Sequence, residues 1–381
     1  MAGGRRLLAK LYAALPRPMQ MAVARRFRRR KERRLAELRT PTALILYVTQ
    51  RCNARCAHCF YWKELEAKAQ ELSLDDLEKL AASLRHPISL SITGGEPSLR
   101  KDLFEIAEAF HTVNGCREVA LATNGILTDR IVETCERILA ELDLESLGVQ
   151  VSLDGPEDTH NAIRQVPAFG PAVETVRRLA ELSRKHPRFT VHVSCCIQKR
   201  NIGELREFVE FLLPLRVPLQ FALIRGESFG TWNVPAGSSS GINPRDKDSP
   251  LVPVERLEAF FGWLRKRDQD SEFRFWSPMQ QDKIELSLRM LREQKKCIAC
   301  YAGSIDAVVY ANGDVALCEL TKPVGNLYDV DMDVETLWHS AEADAMRKKI
   351  RSCFCIHGCN LVTGLLFRPE HIRAAILRKA K

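Results

Sequence analysis

The chain has 381 residues, 45% hydrophobic and 28% charged, with a net charge of +9 and thirteen cysteines. Such a composition buries a large core, and it excludes a disordered chain and a small disulfide-stapled secreted fold. The basicity sits in residues 1–40, where thirteen Lys and Arg face two Glu; the other 341 residues carry −2, so nucleic acid is not an expected partner of the body of the chain.

Residues 1–40 read as a basic amphipathic helical segment. Leu7, Leu8, Leu11, Tyr12 and Leu15 share one helical face, Pro16 to Pro18 break the run, and the basic stretch 25–31 follows. The pattern suits an anionic membrane surface, against a helix packed on the protein's own body, a solvated charge run or a nucleic-acid arm. Arg5, Arg6 and the Ala22-Val23-Ala24 triplet resemble an export signal, but Lys10 and Arg17 interrupt the apolar stretch too early. No run of eighteen apolar residues occurs, so no membrane span is expected. Cysteines in metal-ligand spacings point to a reducing, cytoplasmic location, peripheral on the inner face of the membrane where the tail binds it.

Residues 43–49 read as a buried strand that delivers Cys52, Cys56 and Cys59. Three thiolates so spaced can converge on one iron–sulfur cube and leave its fourth iron unligated, whereas closed iron–sulfur and zinc sites take four ligands. Three unrelated core cysteines, or a zinc site with His58 or a distant residue as fourth ligand, are the competing readings.

Beyond the loop, helix and strand alternate. Strands are predicted at 88–93, 118–123, 147–153, 190–197 and 218–223, and helices at 73–85 (Ser73 as N-cap), 102–112, 128–142, 170–184 and 202–213. With right-handed crossovers these six strand–helix steps curl into most of a barrel. Gly94-Gly95-Glu96-Pro97, Thr123-Asn124-Gly125 and Ser152-Leu153-Asp154-Gly155 each follow a strand directly, so three corners and the cysteine loop share one mouth.

Residues 225–253, rich in Gly, Ser, Asn and Pro, read as a lid-type loop. Helices at 254–267 and 282–296 lead to Cys297 and Cys300, then to a hairpin turning at Asn312-Gly313 and ending on Cys318. A helix at 333–350, the cysteines 353, 355 and 359, and a basic helix at 370–381 complete the chain. Cys116, Cys135, Cys195 and Cys196 fall on predicted helices and strands and read as core.

At these residues the chain resembles the radical S-adenosylmethionine (SAM) superfamily, with a SPASM/twitch-like C-terminal iron–sulfur domain. The resemblance covers residues 41–225 and 297–360. It implies an α/β fold: a partial (β/α)6 radical SAM barrel followed by a small α+β auxiliary-cluster domain. The expected segments are a basic helical segment (1–40), the barrel (41–225), a lid loop and linking helices (226–296), the auxiliary domain (297–360) and a basic C-terminal helix (361–381).

By the same resemblance, Cys52, Cys56 and Cys59 hold a 4Fe-4S cluster whose open iron takes SAM. Gly94, Gly95, Glu96 and Pro97 receive the methionyl amine, Asn124 lies in the third-strand corner, and Ser152 and Asp154 hold the ribose or carboxylate. Phe60 lies near the adenine, and Arg164 of the His160–Arg164 segment forks onto the methionyl carboxylate, with a surface ion pair as its alternative. One auxiliary 4Fe-4S cluster is expected on Cys300 and Cys318 with two of Cys353, Cys355 and Cys359, leaving Cys297 spare, because the late cysteines are spaced too tightly for a full SPASM pattern.

The implied activity is reductive cleavage of SAM to a 5′-deoxyadenosyl radical that removes a hydrogen atom from a small-molecule or lipid-like substrate. A flavodoxin- or ferredoxin-type protein is the expected reductant. The alternatives are a ribosomal-peptide maturase of the SPASM type and a non-catalytic iron–sulfur carrier or regulator.

Overall fold

Two helices precede the sheet, α1 (Ala2–Ala14) and α2 (Arg17–Leu35), separated at Pro16, which fixes an extended backbone there. The computed structural model describes residues 2–66, 70–224, 230–234 and 251–378, without the side chains of residues 2–7 and 66. The Leu7 side chain and most of the loop expected over 225–253 lie outside the described residues.

The strand–helix alternation then runs β1 (Ala43–Tyr47), α3 (Leu74–Ser83), β2 (Ser89–Thr93), α4 (Leu103–Ala109), β3 (Glu118–Thr123), α5 (Thr128–Glu141) and β4 (Ser146–Ser152). It continues through α6 (Glu157–Arg164), α7 (Phe169–Lys185), β5 (Phe189–Ile197), α8 (Leu205–Leu212) and β6 (Leu219–Leu223). Ser73 caps α3 in a reciprocal capping box with Asp76, as its spacing predicts. The short helix α6 was not expected; it carries the His160–Arg164 segment.

After β7 (Thr231–Trp232) come α9 (Val254–Gln269) and α10 (Pro278–Glu293), then β8 (Asp306–Val309), β9 (Asp314–Ala316) and β10 (Gly325–Asn326). The chain ends in α11 (Val334–Trp338), α12 (Ala341–Ser352), β11 (Phe354–Cys355), α13 (Gly358–Leu366) and α14 (Pro369–Arg378). The single helix expected over 333–350 is two, because the Ser340 side chain accepts from the Ala343 amide and starts α12 afresh.

Strands β1 to β6 are parallel neighbours in sequence order, the open partial barrel that the alternation predicts. The C-terminal hairpin is not a separate sheet: β8 pairs in parallel with β1, and β9 and β10 follow antiparallel, giving nine strands in one sheet. Asn312-Gly313 makes the turn, with Gly313 at φ 85°.

Alternate residues, among them Leu44, Leu46, Ile92, Leu121, Val149 and Val193, pack under the helices as one core. Each such side chain contributes roughly 1.5–3 kcal/mol on burial. The opposite face carries Ser91, Gln150, His192 and Gln220, all only partly buried. A parallel sheet covered by helices on both faces is apolar on both, so this polar face is not packed under a second helical layer. At the other end of the chain, α14 packs against α1 and α2, so the basic C-terminal helix joins the N-terminal segment.

Candidate metal centres

The cysteine loop is held between two corners. On one side, the Gly95 amide donates to the Thr49 carbonyl (2.8 Å) and the Glu96 amide to the Arg51 carbonyl (2.8 Å). A Cβ at Gly95 would lie 2.1 Å from the Arg51 oxygen, and Gly94 sits at φ 145°, so only glycines let this corner lie on the loop backbone. On the other side, the Arg55 amide donates to the Arg164 carbonyl (3.1 Å) and the Ala57 amide to the Ile163 carbonyl (2.9 Å), pinning the loop to the end of α6. Asn124 Nδ2 donates to Asn53 Oδ1 (2.7 Å), tying in the β3 corner.

Cys52 and Cys59 both sense the neighbouring thiols. Burial first, then Cys56 and Glu96, push Cys52 up to about 11; burial and then Cys56 and Cys52 push Cys59 up to about 12. Soft donors this crowded ionise readily only when a cation holds them as thiolates. The spacing is too wide for one ion: among the described residues, the only His, Cys, Asp or Glu trio with ligand atoms within 4.8 Å of one another is elsewhere. His58 is turned to another partner, its Nδ1 meeting Gln198 Nε2 at 3.3 Å, and burial lowers it to about 4, which keeps the ring neutral. The donor set fits an iron–sulfur cube better than zinc.

Behind the loop lies a buried charged network. Arg164 Nη2 meets Asp154 Oδ2 at 2.6 Å and Arg164 Nη1 donates to Cys56 Sγ at 3.4 Å. The pair is buried, not the surface ion pair weighed from sequence, and it reaches a thiol. Asp154 Oδ1 accepts from the Cys196 amide (2.9 Å), and Asn201 Nδ2 donates to the Asp154 carbonyl (2.7 Å). Burial opposes ionisation of Asp154, yet Arg164 and the nearby histidines hold its carboxyl below the usual range.

Glu96 is also buried, accepting from Ser98 N, Ser98 Oγ and Thr123 Oγ1 on one oxygen and from Asn124 N on the other. It therefore locks the β2 and β3 corners together, and its second oxygen retains room for another donor.

A second set of thiols lines a cavity: Cys300, Cys318, Cys353 and Cys355. Burial pushes Cys300 up to about 12 and Cys353 up to about 11, with Cys355 raising both further. Cys353 and Cys355 reach one site because residues two apart along an extended segment share a face. Phe354 between them stacks on Trp232 at 4.8 Å, where β11 pairs with β7. Asn360 Nδ2 donates to Cys318 Sγ (3.4 Å) and reaches Cys355 Sγ (4.0 Å). Four sulfurs around one cavity match a closed cluster site. Cys297 and Cys359 are not among the lining residues: Cys297 Sγ points to the Lys295 carbonyl, and Cys359 is exposed.

Phe60 packs with Tyr47, Tyr61, Val308 and Tyr310, and Ser152 ends β4 at the mouth. Cys116, Cys135 and Cys195 are buried and Cys196 partly so. The sequence reading missed Asn53, Gln198 and Asn201. The last two follow β5 directly, so the rule that singled out the other corners points to them as well.

The family model of the radical SAM superfamily matches residues 46–212, and that of the SPASM iron–sulfur cluster-binding domain matches residues 300–360. An AdoMet-dependent heme synthase of Methanosarcina barkeri is 28% identical, covering 81% of this chain and 85% of that protein. A GTP 3′,8-cyclase of Aquifex aeolicus is 32% identical, covering 61% and 69%. A PqqA peptide cyclase of Rhodopseudomonas palustris is 35% identical, covering 46% and 44%. In fold, the chain is similar to Streptococcus suis SuiB bound to its precursor peptide SuiA, with TM-score 0.59 and 16% identity, covering 93% of this chain and 79% of that one.

Proposed function

This chain belongs to the radical SAM superfamily and carries a SPASM domain, and we propose that it is a peptide-modifying member of that family. Chains of this kind are enzymes that bind a 4Fe-4S cluster with SAM and auxiliary iron–sulfur clusters. A cluster held by Cys52, Cys56 and Cys59 with SAM on its open iron would supply one-electron reductive cleavage of a SAM carbon–sulfur bond, with methionine as the leaving group, and so the means to remove a hydrogen atom from substrate.

In this reading Cys52, Cys56 and Cys59 hold the SAM cluster, and Cys300, Cys318, Cys353 and Cys355 hold one auxiliary 4Fe-4S cluster. Gly94 to Pro97, Asn124 and Ser152 line the SAM site, with Phe60 beside it. Asp154 and Arg164 act by orienting: the guanidinium is fixed by the carboxylate and aims one N–H at the Cys56 sulfur. A flavodoxin- or ferredoxin-type protein supplies the electron.

The observation that carries the reading is the pairing of an open three-thiol loop with a closed four-thiol cavity on one continuous sheet. The peptide cyclase has the highest identity of the three relatives described, and the peptide-bound SuiB shares the fold; both support a peptide over the small-molecule or lipid-like substrate first expected. A small-molecule substrate is the second reading, supported by the heme synthase matched over 85% of its length.

The test is anaerobic turnover with SAM, dithionite and a short peptide encoded beside the chain's own gene. A peptide mass change that requires SAM is expected; 5′-deoxyadenosine formation with no change in any such peptide overturns the peptide reading.

We place α1 and α2 at an anionic membrane surface. Leu8, Leu11, Met19 and Phe27 are exposed there, among the exposed Arg25, Arg26, Arg29 and Arg30, although no described helix is long and apolar enough to cross a membrane. Co-sedimentation with phosphatidylserine vesicles at low salt, lost on deleting residues 1–35, is expected; equal pelleting of both proteins overturns the placement.

A further inference from the structure

The start of α13 splits two adjacent residues. Asn360 faces the four-thiol cavity, whereas Cys359, one position earlier, is turned about 100° away along the helix. Cys359 instead meets Glu319 and His357, with one ligand atom from each of the three within 4.8 Å of the others. Glu319 and His357 are buried and Cys359 is exposed, so the trio is walled on one side and open on the other.

Its position in the fold is specific. Glu319 follows the cavity cysteine Cys318, and His357 and Cys359 follow Cys355, while Glu319 Oε1 accepts from the hydroxyl of Tyr47 (2.5 Å). Tyr47 ends β1, five residues before Cys52. The trio is thus tied through Tyr47 to the strand that leads into the cysteine loop, and along the chain to Cys318 and Cys355 of the four-thiol cavity.

We propose that Glu319, His357 and Cys359 form a mononuclear site for a borderline divalent transition metal, of the zinc or ferrous class. One thiolate, one imidazole and one carboxylate make a mixed S, N, O set that suits those ions and is a poor match for calcium or magnesium, which take oxygen ligands. Three protein ligands with an open fourth position make a site that can take water or a substrate group rather than a sealed structural one.

The supporting contacts are those a ligand set needs. The Tyr47 hydroxyl fixes the Glu319 carboxylate, and His357 Nε2 and Glu319 Oε2 now meet each other at 2.6 Å, a hydrogen bond that an ion would open as it draws in both groups. The rival partner for the Cys359 sulfur is Lys283, whose Nζ also donates to the Phe221 carbonyl (2.9 Å). A thiolate–ammonium pair there would leave the trio without an ion.

The inference rests on the reading that the auxiliary cluster uses the other four cysteines, and the experiment separates the two. Cluster-loaded wild type, Cys359→Ser and His357→Gln are titrated with Co²⁺ under argon, with iron counted before and after. The expected result is about one Co²⁺ per wild-type chain, with a thiolate-to-cobalt charge-transfer band absent in Cys359→Ser and weakened in His357→Gln, and equal iron in all three. Equal iron with no wild-type uptake beyond that of Cys359→Ser overturns the metal site alone and leaves the Lys283 pair. Loss of about four irons in Cys359→Ser overturns the cluster assignment and this site together.

Discussion

The two cysteine sites are built in opposite ways. The first lies within eight consecutive residues and is shaped by what presses on it: the Gly94-Gly95 corner, the end of α6 and the Asp154–Arg164 pair. The second has no local identity; it forms only when the β8–β9 hairpin joins β1 and β11 returns to pair with β7. Exposure follows this division in part: Cys52, Cys56 and Cys59 are all partly exposed, whereas in the second site Cys318, Cys353 and Cys355 are buried and Cys300 is partly exposed. A contiguous loop can offer an open coordination position to a small ligand, whereas a site assembled from distant segments can supply all four ligands itself.

This contrast can be broken by mutation. The largest effect is expected from Cys52→Ala, Cys56→Ala or Cys59→Ala, each of which should abolish 5′-deoxyadenosine formation and remove about four irons. Cys318→Ala or Cys355→Ala should remove a similar amount of iron and yet leave SAM cleavage, measured without substrate, within a few-fold of wild type. Cys297→Ala should change neither quantity, and a loss of iron there would redraw the second site.

Next in size is the buried pair behind the first site. Asp154→Asn leaves the Arg164 charge uncompensated and should cost about 3–5 kcal/mol, read as a lower urea midpoint. Its effect should appear at the first site as faster loss of iron on exposure to air, with the auxiliary iron retained.

The smallest expected effect is a pH dependence of stability. Burial lowers His160 and His192 from 6.5 to about 4, so between those values the unfolded chain binds protons that the folded chain refuses. Stability should therefore be intact above pH 6.5 and fall as the pH drops toward 4, with a shallower slope in His192→Gln. Urea midpoints across that window check the sign.

The same division explains how much was legible in the sequence. Six parallel strands with helices between them, the Ser73 capping box and the Asn312-Gly313 turn carry their signals locally, and the structure has all of them. The three thiols of the first loop were legible because their spacing is the site. The second site was legible only as a set of candidates, since nothing in the spacing of residues 353, 355 and 359 says which face each presents. That choice is made by the extended segment running from the end of α12 into β11 for the first two and by the helical turn of α13 for the third.

The merging of the hairpin into the barrel sheet was not legible either, because the pairing of β8 with β1 joins strands more than 250 residues apart. The burial of Arg164 was missed for a related reason. Its partner Asp154 lies in a corner and its own helix α6 is short, so local pattern did not separate a surface arginine from an enclosed one.

The most direct test of one open and one closed site is electron paramagnetic resonance of the dithionite-reduced, fully loaded protein before and after adding SAM. The account predicts two cluster signals, of which only the one missing in Cys56→Ala shifts with SAM, while the one missing in Cys318→Ala stays fixed. A SAM-induced shift of the signal that depends on Cys318, or no shift of either, would contradict it.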